Sequence, residues 1–126
     1  MSAARSRQSL QVENATRGQT LVTAGRVAND MWTRLRGLIG SKPLRPGEAM
    51  LISPCQSIHT HFMSFPIDVL YVDTDRRVVA LDQAMPPWRF GRLHRTARCV
   101  LELPAGAIAQ SGTQVGDQLT LVGFGE

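Results

Sequence analysis

The apolar positions of the chain change period along its length. Met31, Leu35, Leu38 and Ile39 fall on one face of a 3.6-residue repeat, with Arg34 and Arg36 turned outward. Asn29 or Asp30 is placed to cap the first turn, and Gly40 followed by Pro43 stops the last. This predicts a helix over about 29–39. Elsewhere the period is two. Short runs over 9–14, 19–27, 50–53, 57–63, 67–73, 77–82, 97–103 and 118–122 read as strands bounded by turn residues. Asp73-Thr74-Asp75-Arg76 predicts a hairpin between two of them. Ala105 to Ser111 predicts one helical turn closed by Gly112. Residues 1–7 read as a disordered tail and 8–126 as a single domain. The predicted fold is mainly β, a compact sandwich or jelly-roll, or a small barrel, with the 29–39 helix packed on it.

Charge is unevenly distributed. Residues 1–45 hold eight bases against Glu13 and Asp30, a net of +6; residues 46–126 hold six bases against eight acids, a net of −2, giving +4 overall. The protein is basic, and all but Lys42 of its 14 bases are arginines. An Arg-rich flank of this kind is an expected contact for an anion or a nucleic acid. Aromatics are only 6% of the chain and no recognition helix is present, so nucleic acid is disfavoured. No apolar run approaches the roughly 18 residues of a transmembrane helix. The polar stretch Met1–Asn14 lacks a leader's apolar core, so a cytoplasmic location is expected. Cys55 and Cys99 form no Cys-x-x-Cys and are expected as reduced thiols.

Three segments carry candidate chemistry. If Cys55–Met63 is extended, Cys55, Ser57, His59, His61 and Met63 share one face, while Gln56, Ile58, Thr60 and Phe62 turn the other way toward the core. The first face offers metal-ligand types, so Cys55, His59 and His61, with His94 from a later loop, are the candidate ligands for a divalent transition metal. No further ligand stands at the spacing a closed site needs, and the expectation is no cofactor. The loop from Trp88 to Arg98 carries four arginines and two aromatics, with Trp88, Arg89 and Arg92 placed to grip an anionic ligand or partner. Asp68, after Pro66, lies among apolar strand residues. It either ties a loop, with Arg89 as candidate partner, or lines a pocket beside His59 and His61. The nucleotide-binding, Ser-hydrolase and zinc-protease motifs are absent, and a Cys55–His59 or Cys55–His61 nucleophile pair has no orienting acid.

The order of motifs resembles the DUF192 (UPF0127) family. It runs through Arg34-Leu35-Arg36-Gly37-Leu38-Ile39, Met50-Leu51-Ile52, Ile58–Met63, Phe65–Asp73, Asp75–Val79, Pro87-Trp88-Arg89, Val100–Gly106 and Val115–Leu119. Where many members carry Trp-Met-Lys-Asn-Thr, this chain has His59-Thr60-His61-Phe62-Met63, as in a subgroup with Cys-x-Ser-Ile-His-Thr. Roles of the Lys-Asn-Thr side chains therefore do not transfer. The resemblance implies a compact, mainly β domain and no established reaction; it leaves envelope association open.

Three functions follow. The first is a non-enzymatic ligand- or protein-binding accessory module whose unknown protein or small-molecule partner meets the Cys55–Met63 strand and the Trp88–Arg98 loop. The second is a metal-dependent enzyme using the His59–His61 pair. The third is an anion or nucleic-acid binder using the Arg-rich flank.

Overall fold

The computed structural model describes residues 10–28, 43–60 and 64–124. The predicted helix over 29–39 and the tail over 1–7 lie outside these residues.

Seven strands form one sheet: β1 (Leu10–Asn14), β2 (Gln19–Ala28), β3 (Glu48–Ile52), β4 (Ile67–Val72), β5 (Val78–Met85), β6 (Cys99–Pro104) and β7 (Leu119–Val122). Their spatial order is β5-β4-β6-β3-β2-β1-β7. The β2–β3 pair is parallel and the other pairs are antiparallel. The helical turn read over Ala105–Ser111 is present as α1 (Ala107–Ser111), and Gly112 ends it at φ 71°. Such a left-handed backbone suits glycine.

The two edge strands meet at one end. Arg77 bridges Gln118, Val78 N–H donates to Asp117 O at 3.0 Å, and Leu119 N–H donates to Arg76 O at 2.8 Å. The sheet therefore curls toward a barrel, which resolves the sandwich-or-barrel alternative. Closure also removes part of the exposed edge that an open sheet presents.

Alternation along each strand supplies two apolar faces. The inner face gathers Leu10, Val12, Leu51, Leu70, Val72, Leu101, Leu103 and Leu119, with Ile108 from α1. The outer face of β3, β4 and β6 carries Met50, Ile52, Val69, Tyr71 and Val100, and Ile58, Phe65 and Ala97 from the connections pack on it. Central strands are thus buried on both sides: every residue of β4 is buried. The hairpin at Asp73–Arg76 forms as predicted, with Asp73 Oδ1 accepting from Asp75 N–H and Arg77 N–H at 2.9 Å each.

Candidate functional site: a strapped loop

The predicted strand over 57–63 is not a regular strand. His59 makes a single isolated bridge, to Phe90, and residues 61–63 lie outside those described. The alternation within 57–60 holds: Ile58 and Thr60 are buried and His59 is exposed. The backbone has the hydrogen bonds of a strand, but its partner is the irregular 86–98 segment, which cannot keep a ladder. Gly91 N–H donates to Ile58 O at 2.8 Å, His94 N–H to Gln56 O at 2.9 Å and Cys55 N–H to Arg98 O at 2.9 Å. The two segments singled out from the sequence are therefore one unit.

Thr60 is the pin of that unit and was missed as such in the sequence. It is 0% exposed. Its N–H donates to Arg89 O at 2.8 Å, and its carbonyl accepts from Trp88 N–H at 2.9 Å. Its hydroxyl donates to Pro86 O at 2.6 Å and accepts from Arg89 N–H at 2.8 Å. The turn it holds places Trp88 at φ 65°, a backbone state costly for a bulky residue unless its surroundings enforce it. A second contact sits under the loop. The Tyr71 ring centroid lies 4.1 Å from that of His94, and Tyr71 Oη donates to Asp82 Oδ2 at 2.9 Å. Burial, then the Asp82 hydrogen bond and charge, push the Tyr71 phenol above its ordinary range. Gly91 crosses so close that a Cβ there would stand 2.9 Å from Tyr71 Oη and 3.0 Å from Ile58 O.

Held this way, the loop presents its large side chains outward. Trp88 is 57% exposed, Phe90 80% and Leu93 59%. Arg89, Arg92, Arg95 and Arg98 are also exposed, and no acidic residue stands between Asp82 and Glu102. Beside the loop a cavity of about 310 Å³ is lined by Asp82, Gln83, Arg89, Phe90 and Arg92 among others. A separate cavity of about 510 Å³ lies between Gln19–Thr23 and Pro104–Ser111, and none of the described residues lining it is ionisable.

Asp68 lies elsewhere. Alternation on β4 places it with Leu70 and Val72 on the inner side, 1% exposed. Its carboxylate accepts from Ala84 N–H at 2.7 Å, Ile108 N–H at 2.9 Å and Gly106 N–H at 3.1 Å. It fills the β5 irregularity at Ala84 and caps α1. The loop-tying role holds, with backbone amides as partners in place of Arg89.

Each described metal-ligand candidate has a neighbour of another kind. Cys55 Sγ–H donates to Ser57 O at 2.8 Å, His94 stacks on Tyr71, and the His59 ring lies 6.3 Å from that of Phe90. Among the described residues no group of three His, Cys, Asp or Glu side chains is placed to hold an ion, and His61 is outside them. Cys55 and Cys99 are not joined in a disulfide. Of the N-terminal bases, Arg17 is committed to Asp117, with Nε 2.9 Å from Oδ2.

Glu102 was not singled out from the sequence. It stands on β6 opposite Met50 on one side and Val69 on the other, 4% exposed. Among the described residues no group hydrogen-bonds its carboxyl. Burial pushes its pKa up to about 8. The signal was an acid inside the apolar run Cys99–Leu103, obscured because alternation alone assigns Glu102 to a solvated face.

These elements in this order match a known family model, "Uncharacterized ACR, COG1430" (DUF192), over residues 12–121. The chain is a DUF192 protein. A UPF0127 protein of Thermococcus sibiricus is 32% identical over 113 residues, covering 84% of this chain and 71% of the relative. A UPF0127 protein of Pyrococcus furiosus is also 32% identical, over 84% of this chain and 93% of its own length. Two crystal structures share the fold. A Novosphingobium aromaticivorans protein of unknown function has a TM-score of 0.76 at 23% identity, covering 88% of this chain and 82% of its own. A Sinorhizobium meliloti protein provisionally described as a transcription regulator has a TM-score of 0.75 at 22% identity, covering 91% of this chain and 93% of its own. This DUF192 chain has no helix, among the described residues, long and apolar enough to cross a membrane.

Proposed function

We propose that this DUF192 protein is a non-enzymatic binding module whose binding face is the unit formed by residues 54–60 and 86–98, and that its partner is anionic. One observation supports this above the others. A buried threonine and a run of backbone hydrogen bonds hold a loop in a strained turn, and that loop exposes three large apolar side chains among four arginines. Surface apolar residues scattered singly need no explanation, but a cluster ringed by polar groups marks a contact site. Arginine is the side chain best suited to gripping carboxylate, phosphate or sulfate.

The test uses heparin as a generic polyanion in a titration at low salt. The double variant Arg89→Glu/Arg92→Glu should bind at least tenfold more weakly, with an unchanged melting temperature because both side chains are exposed. Equal binding by the variant would remove the reading. So would failure of the wild-type protein to bind heparin, polyglutamate and anionic vesicles alike.

A further inference from the structure

Resting on that reading, we propose that the anionic partner is a phospholipid surface, and that the Trp88–Arg98 loop inserts its apolar side chains at the headgroup level. Two features separate this from other anionic partners.

The first is the composition of the exposed tip. Trp88, Phe90 and Leu93 alternate with Arg89 and Arg92, and Arg95 and Arg98 follow. Tryptophan and phenylalanine beside arginine is the pairing that settles at a bilayer interface, rings in the acyl boundary and guanidinium groups among the phosphates. A single-stranded nucleic acid would use the two rings for stacking, but Leu93, 59% exposed, has no π-face to offer a base.

The second is the pattern of charge. The segment from Gln83 to Leu101 holds four arginines and no acid, and all four arginines are exposed. Headgroup phosphates are dense and laterally mobile, so each guanidinium finds one without a fixed register. An acidic protein would need its carboxylates placed to match. The loop is also held before contact, by Thr60 and by the Gly91–Ile58 and His94–Gln56 hydrogen bonds, so little ordering is required on binding. This is a peripheral contact by a loop, distinct from a span.

The experiment is sedimentation of the full chain with vesicles of phosphatidylcholine containing about a third phosphatidylglycerol, against pure phosphatidylcholine. Binding is expected only to the anionic vesicles, falling as salt rises. Each of Arg89→Ala and Arg92→Ala should cost about fivefold in partition, from roughly 1 kcal/mol per arginine near such a surface. Leu93→Asn, which adds no charge, should lower vesicle binding by more than the arginine variants do, and by more than it lowers heparin binding. Brominated lipid should quench tryptophan emission in the wild-type protein, and Trp88→Ala should remove most of that quenching.

If the protein binds heparin, duplex DNA or polyglutamate through Arg89 and Arg92 but leaves anionic vesicles in solution, the lipid inference is wrong and the binding face stands. If Arg89 and Arg92 matter to none of these probes, the binding face falls with it. Vesicle binding that ignores Leu93→Asn would likewise overturn insertion of the loop.

Discussion

Glu102 and Asp117 respond to pH in opposite senses. Glu102 has a folded pKa near 8 against an ordinary value of 4.5, so folding favours its protonated form. The stability tied to that proton is complete below about 4.5 and is lost as pH rises toward 8, at no more than about 1.4 kcal/mol per pH unit. Asp117 is held down to about 2, first by the Arg17 hydrogen bond and then by Asn14 and the Gln114 N–H. Its contribution is present above its ordinary value of 3.8 and is lost as pH falls toward 2. Urea unfolding at a series of pH values should show wild-type stability declining from pH 5 to 8, with most of that decline absent in Glu102→Gln. A parallel decline in both proteins would show that Glu102 is solvated. Asp68→Asn should cost about 1–3 kcal/mol, because an amide nitrogen must face one of the three N–H donors that the carboxylate now accepts from. A loss under about 0.5 kcal/mol would remove the capping role.

At the level of elements, the hairpin and α1 were legible because local signals decide them: Asp73 folds back on its own turn, and Gly112 ends a single turn of helix. The 57–60 segment was legible in the facing of its side chains but not in its pairing. Which residues turn inward follows from period two, whereas the partner, 86–91, is fixed by Thr60 and by the close crossing of Gly91, which no short window contains. The β6 strand misled for the same reason. Connections packed over the second face of the sheet leave Glu102 a buried acid where alternation reads a surface one. Two variants test the strap. Thr60→Val keeps the shape but leaves Pro86 O and Arg89 N–H without their hydroxyl partner, at a cost of about 1–3 kcal/mol. Gly91→Ala forces a methyl against Tyr71 Oη and Ile58 O. In both, amide exchange at Trp88, Arg89 and Gly91 should speed up well before exchange in β4 and β6. Unchanged exchange in the loop would show that Thr60 and Gly91 do not hold it.

Across the whole molecule, the curled sheet supplies a rigid frame, and the outer-face strap is the contact surface that the proposed function assigns. The inner core draws on all seven strands and α1, so substitutions there act on stability, while Trp88, Phe90 and Leu93 are exposed and lie outside that core. The Arg-rich flank competes for the same role from the other side of the sequence, and amide-resolved NMR separates the two. Titration of the ¹⁵N-labelled protein with short heparin fragments should move resonances in 56–60 and 88–98 and leave Arg17, Arg26 and Arg45 in place. Shifts gathered at those three positions, with the loop silent, would contradict the account.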